Sequence, residues 1–472
     1  MNRRLSAVMA AALGLRLIHL GFPISGIHAW RQADTAAMAR AYTREGFDLL
    51  RPAVDWRGAG PGWVQSELPI YSWVMGLLGG SSVAGRLLAI CGGLLAVYAL
   101  YRLLRDMIDE RTALWGAFLV ACSPMGVYFT RTVQPDAWMF AAQVVALWLA
   151  RSALTTGPRA HGPMALGAFT LACLIKPTSA VLLLPLAALV VVHRGWAGLR
   201  RPALLAGVGA ASLLVVAWYA WATHLGDLTG LRFFAWAPGQ DKWGHLGLAL
   251  SPSFWWTILV HRLAQHALAG GLFGVLIAGL LFARNRAEEL VLDLWLLSLL
   301  IGTAVTAAGQ LEHAYYQLPL VGPAAAICGK VLGRHLLPSL RWQTVVLAAI
   351  LATAAPSAAV HLARAYESER EHPDTLDAAA LVAELVPADA LVVAVAPRRD
   401  PTLLYHVDRH GWLLRPDQAT PEALSDLAAQ GAQYVITLHS EPIAGATLVE
   451  ARGAARLYRC SPGPSAGLRR AR

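Results

Sequence analysis

Charge is what this 472-residue chain has least of: 14% of its residues are Asp, Glu, Lys or Arg, against about 25% in a soluble domain. With 56% hydrophobic residues and a mean hydropathy of +0.49, that deficit excludes an ordinary soluble enzyme. Lysine is nearly missing, with only Lys176, Lys242 and Lys330, so the net charge of +10 comes from arginine. In a soluble protein such a balance points to nucleic acid. Here the arginines flank apolar runs, which sets nucleic acid aside in favour of membrane lipid. Cysteine is scarce as well. Cys91, Cys122, Cys173 and Cys328 lie inside apolar runs and Cys460 stands alone near the end, so neither a disulfide framework nor zinc-like spacing is present. There is no convincing cleavage site after the opening MNRR and its apolar run, which therefore reads as an uncleaved first span.

What is present is a series of about eleven apolar runs, at roughly 5–23, 82–104, 112–130, 137–153, 163–175, 178–192, 203–221, 266–283, 290–308, 315–332 and 342–361. Many approach the length needed to cross about 30 Å of hydrocarbon. A spanning segment must close its own backbone hydrogen bonds, so the fold class is an all-α polytopic bundle of about eleven transmembrane helices. The pair 163–175 and 178–192 is the weakest, being interrupted by Lys176-Pro177. Arginines between alternate runs mark one side as cytoplasmic. The long loops 24–81 and 222–265, and everything after about 362, then lie outside. The chain divides into a membrane domain, 1–362, and an outer-face domain, 363–472.

In that last domain LVAELVPADALVVAVAP reads as helix then strand, PTLLYHVDRHGW as a second helix and TPEALSDLAAQGA as a third. QYVITL and ARLYRC read as further strands, followed by a disordered tail. The alternation indicates a small α/β domain that caps the outer face or docks partners. It holds no phosphate loop, glycine fingerprint or nucleophile elbow. The loop 222–265 carries Phe233, Phe234, Trp236, Trp243, Trp255 and Trp256, read as an aromatic belt or as a sugar- or lipid-binding rim.

The first outer loop breaks the arginine pattern. Arg31, Arg40, Arg44, Arg51 and Arg57 are matched there by Asp34, Glu45, Asp48, Asp55 and Glu67, as on a structured polar surface. Within HAWRQADTAAMARAY, helical spacing puts Arg31, Asp34, Met38 and Tyr42 on one broad face. They form either an amphipathic connector with Arg31 paired to Asp34, or a reactive face. SELPIYSW reads as a short interfacial helix starting near Pro69. Glu67 ahead of it serves either the helix dipole or a substrate, with Tyr71 one turn on. In RTVQPD, Arg131 and Asp136 either pair with each other or leave Arg131 for an anion. Lys176 either snorkels to the interface or meets a phosphate. In QLEHAYYQLPLVGP, Tyr315 and Tyr316 fit an aromatic belt as well as substrate contact, and His313 reads first as a surface histidine. Ionisable groups at membrane depth are functional candidates, and this topology places all of them on the outer side. Carboxylates suit a general base for an acceptor hydroxyl or amine, and cations suit a phosphate leaving group.

These motifs resemble, in order and placement over roughly residues 1–335, the GT-C superfamily of integral-membrane glycosyltransferases, in the branch of protein O-mannosyltransferases and aminoarabinose transferases. The likeness rests on RQADTAAMARAY after the first span, SELPIYSW, Arg86 in AGRLLAI, RTVQPDAW, and YQLPLVGP beginning at Tyr316. The resemblance implies transfer of one sugar from a polyprenyl-phosphate donor to an envelope lipid, glycan or protein, on the periplasmic face of the bacterial inner membrane. Asp34 takes the place of the essential first-loop aspartate, with Arg31 and Tyr42 holding the acceptor. Glu67 matches a glutamate that helps hold a divalent metal. Tyr71, Arg131, Asp136, Lys176, His313, Tyr316 and Gln317 complete the expected substrate contacts. The family's phosphate-contacting lysine after that glutamate is Leu68 here, and its second acid after the aspartate is Thr35, so phosphate binding shifts to Arg131 or Lys176. A transporter or flippase of a lipid-linked or anionic solute is the competing reading. It predicts inverted repeats, and no convincing repeat is found.

Overall fold

The computed structural model describes residues 3–233, 243–282, 284–335, 341–370 and 373–460. The expected disordered tail, and Phe234 and Trp236 of the aromatic loop, lie outside the described residues. All eleven apolar runs are helical over most of their length. Their continuity differs from expectation. Among the described residues, helices long and apolar enough to cross a membrane are Ser82–Met107, Asp136–Leu154, Pro177–Arg194, Pro202–Thr229 and one within Gln343–Leu385; a bent pair, Pro252–Ala267 with Gly271–Leu281, makes a sixth.

The other runs are shorter or broken, and the breaks have local causes. The run 112–130 divides at Ser123-Pro124, where the Ser123 hydroxyl accepts from the Gly126 N–H at 3.2 Å and starts a new helix. Lys176 is extended, ψ 115°, because the residue before a proline avoids the helical region. The carbonyls freed there are met by the Tyr219 hydroxyl, which donates to Leu174 O at 2.9 Å. The bend of 112° follows a π-helix, Trp256–Ala267, and two residues at positive φ, Ala269 and Gly270.

The chain forms two compact units. One comprises residues 1–20, 86–221 and 234–365. Its interior is polar at chosen points. Arg16 is fully buried and donates to Thr130 Oγ1 at 2.7 Å and to the Ala121 carbonyl at 3.0 Å. Arg86 donates to Leu20 O at 2.9 Å and Arg131 to His19 O at 3.2 Å, so two buried arginines hold the turn that follows the first helix.

The other unit comprises 21–85, 222–233 and 366–472. Its sheet holds β1 (Leu391–Val395), β2 (Gly411–Leu414), β3 (Ala432–Thr437), β4 (Ala446–Arg452) and β5 (Ala455–Cys460), in the order β2-β1-β3-β5-β4. The first three are parallel and β5 runs antiparallel to β3 and β4. The α/β character is as expected, but β2 and β4 are additions, and β2 takes the GW that the sequence assigned to a helix. First-loop residues pack within this same unit. Arg40 is the hub: it bonds Asp55 at 2.5 Å and Tyr405 O at 3.0 Å, pairs with Asp408 at 2.8 Å, and lies 4.6 Å from the Tyr405 ring centroid. Arg40→Ala strands the buried Asp55 carboxylate, so it is expected to destabilise this unit by about 3 kcal/mol, read by denaturant unfolding; Asp55→Asn on that background restores much of the loss.

Candidate active site

Two groups of polar side chains form, one in each unit. The first is built on the helix Ala29–Glu45. Six alanines favour helix there and keep its sides slim, and Gly46 ends it at φ 112°. The short helix Ile70–Leu77 packs closely on it: a Cβ on Gly76 would meet Ala39 O at 3.0 Å, and the Ser72 hydroxyl donates to Thr35 O at 2.9 Å. Arg31, Asp34, Met38 and Tyr42 are all buried.

The pairing within this loop departs from the sequence expectation. Arg31 pairs with Glu67, not with Asp34. Glu67 precedes the Ile70–Leu77 helix, whose first turn holds no acid, so its partner is the guanidinium rather than the helix dipole. Arg40 takes Asp55, Arg57 takes Glu45 at 2.9 Å, Arg51 takes Asp48 at 3.6 Å, and Arg44 grips Asp408 with two bonds of 2.8 and 2.7 Å. Asp34 is the loop acid left without an ion-pair partner among the described residues. It is 2% exposed, and its Oδ1 accepts from the Trp56 indole N–H at 2.9 Å. Trp56 sits edge-on to Phe233, centroids 5.5 Å apart, beside Met38, Val54 and Val64.

Burial in that apolar nest pushes the Asp34 carboxyl up to about 8; the Trp56 bond and the Arg31 charge oppose the rise. A carboxyl poised near neutrality can take a proton and return it. The Tyr42 hydroxyl points to Leu49 O at 3.4 Å, and burial lifts its phenol above the ordinary range, so it braces the loop. The Tyr71 hydroxyl is likewise held by Gly85 O at 2.6 Å. Trp56 is the residue that sequence reasoning missed. Its signal was a tryptophan inside the charged DWR of a turn-rich loop, since a buried indole N–H needs an acceptor. Trp56→Phe keeps the ring and removes the donor, so the Asp34 titration moves further up. Any activity that needs the ionised carboxylate is expected to fall about tenfold at pH 7 and partly recover at pH 9 in a pH–rate profile.

The second group lies in the helical unit. Asp136, fully buried in the first turn of its helix, pairs with Lys176 and not with Arg131. The Lys176 ammonium also lies 4.1 Å from the Tyr316 ring centroid and 4.6 Å from that of Tyr315. This is an aromatic cradle for a cation. His313 is buried rather than on the surface, and stacks on Tyr315 at 5.5 Å. Gln317 donates to Gln310 O at 2.9 Å. Asp136, Lys176, His313 and Tyr316 therefore come together, while Arg131 donates to His19 O in the turn after the first helix.

Glu67 is the residue at which a divalent metal is expected. Its carboxylate is engaged by Arg31, and among the described residues no three His, Cys, Asp or Glu side chains gather as ligands.

Residues 69–221 match the family model described as dolichyl-phosphate-mannose-protein mannosyltransferase. No curated protein matches the sequence. ArnT from Cupriavidus metallidurans, solved bound to undecaprenyl phosphate, is 15% identical, with a TM-score of 0.68 over 96% of this chain and 97% of that one. The archaeal oligosaccharyltransferase AglB from Archaeoglobus fulgidus, in complex with an inhibitory peptide and a dolichol-phosphate, is 16% identical over 92% of this chain and 69% of its own, with a TM-score of 0.58. The arabinofuranosyltransferase AftD from Mycobacteria is 13% identical over 98% of this chain and 41% of its own, with a TM-score of 0.56. AglB and AftD carry the names of sugar transferases. The chain has the fold of ArnT, AglB and AftD and, over residues 69–221, the sequence pattern of the dolichyl-phosphate-mannose-protein mannosyltransferase family.

Proposed function

We propose that the chain moves a single sugar from a polyprenyl-phosphate donor to an envelope lipid, glycan or protein, on the periplasmic face of the bacterial inner membrane, with about eleven crossings. The observation that carries this reading is Asp34, a buried carboxylate bonded to an indole N–H rather than neutralised by an arginine. In the reaction the acceptor oxygen or nitrogen attacks the anomeric carbon and the carbon–oxygen bond to phosphate breaks with inversion. The phosphate leaves with the electron pair, and the acceptor proton passes to Asp34. Arg31, fixed by Glu67, and Tyr42 position the helix that carries Asp34. Lys176, in its tyrosine cradle, receives the lipid phosphate, with Arg131 as the second candidate cation. The donor class is supported by the name of the matching family and by the lipid phosphates in the ArnT and AglB structures. The test supplies purified protein with a polyprenyl-phosphate sugar and an envelope extract, and measures release of polyprenyl phosphate. Release that depends on Asp34 supports the reading; release unaltered by Asp34→Asn overturns it.

A further inference from the structure

A groove of 540 Å³ opens in the helical unit, lined by none of the candidate site residues. Arg4 and Val8 of the helix Arg3–Leu17 line it, with Arg111, Trp115 and Phe118 of Glu110–Cys122. Leu347 and Leu351 of Arg341–Glu367 complete the wall. Positions four and seven apart share a helix face, which is why these side chains meet in one trough. The first two helices run the same way, since Arg16 near the end of one bonds the Ala121 carbonyl near the end of the other. Both arginines therefore stand at one end of the trough, and the apolar side chains follow one and two turns further in. Near this end Arg334 takes Asp109 and Glu289, and Lys330 takes Glu289. Arg111 is exposed and makes no hydrogen bond or ion pair among the described residues, while its neighbour Glu110 accepts the Tyr101 hydroxyl at 2.8 Å.

We propose that this groove binds an anionic phospholipid, its phosphate on Arg4 and Arg111 and one acyl chain along Trp115, Phe118, Leu347 and Leu351. The apolar wall alone selects no lipid, because acyl tails gain little by exchanging lipid neighbours for leucine. The head group makes the choice. Guanidinium binds phosphate through charge-assisted paired bonds, and basic residues beside a bilayer favour anionic lipid. The inference does not depend on the transfer reaction.

The test reconstitutes the full chain in nanodiscs containing brominated-chain phosphatidylglycerol or brominated-chain phosphatidylcholine. Trp115 quenching is read as the difference between the natural chain and Trp115→Phe. Half-quenching is expected at a roughly tenfold lower mole fraction of phosphatidylglycerol, with the preference shrinking as salt is raised. The Arg4→Gln/Arg111→Gln double variant moves the phosphatidylglycerol curve onto the phosphatidylcholine curve. Equal curves for the two lipids in the natural chain overturn the proposal, as does a preference that survives in the double variant. If that variant does not fold, the lipid preference of the natural chain and its loss in high salt decide. Competition by inorganic phosphate at millimolar concentration, without any lipid preference, also overturns it.

Discussion

Asp34→Asn is expected to lower transfer about 10²–10⁴-fold, the range that a positioned general base contributes, and to leave the protein folded. Asparagine keeps the size of the side chain and an oxygen to accept the Trp56 N–H. It is also neutral, as Asp34 itself mostly is near pH 7 with its carboxyl held at about 8. The substitution therefore removes basicity and little else. The readout is single-turnover release of polyprenyl phosphate beside a thermal melt. A folded Asp34→Asn protein with normal turnover removes the carboxylate from the mechanism.

The same carboxyl sets the pH dependence. A base must be ionised to accept a proton, so the rate is expected to climb with pH, reach half its maximum near 8 and level off about one to two units higher. Stability runs the other way. The folded-state value is raised above the unfolded 3.8, so the folded chain holds a proton that the unfolded chain has lost. That contribution is complete below about 4 and disappears as pH rises through about 8. Asp34→Asn is expected to flatten this part of the stability profile, with chemical unfolding at pH 5 and pH 8 as the measurement.

The sequence showed where helices lie far better than where they stop. Apolar composition continues across Ser123-Pro124 and through the segment 256–281, while the turning points depend on a proline, a capping serine and two positive-φ residues. Strand β4 was invisible for a different reason: nearly every residue in Ala446–Arg452 is exposed, so it shows no alternation of buried and exposed positions. Strand β2 hides behind Gly411, which a helix could not tolerate at its φ of 156°. Asp34 and Glu67 could be picked out as candidates by their places in RQADTAAMARAY and SELPIYSW. Their partners could not. The i,i+3 spacing of Arg31 and Asp34 offers a local pair, yet Glu67, far along the chain, takes the guanidinium once the two short helices pack. The same holds for Arg131 and Asp136, where a neighbouring cation loses to Lys176. In a low-dielectric interior tertiary packing decides which charges meet, and sequence distance carries little of that information.

Lys176→Met carries the second large expected effect, and one experiment divides its two causes. The substitution leaves Asp136, with no exposed surface, as a buried charge lacking its partner. Breaking such a pair costs about 3–5 kcal/mol, so lower yield and a lower melting temperature are expected whatever the catalytic role. Asp136→Asn alone is milder, because the ammonium keeps the Tyr315 and Tyr316 rings. In the double variant Lys176→Met/Asp136→Asn no charge is stranded, and most of the stability returns. Activity then separates the readings. If the ammonium holds the lipid phosphate, the double variant stays folded but its KM for the donor rises tenfold or more. If Lys176 serves only to neutralise Asp136, activity recovers along with the melting temperature, and the phosphate contact must be sought at Arg131, with the role of Asp34 unaffected.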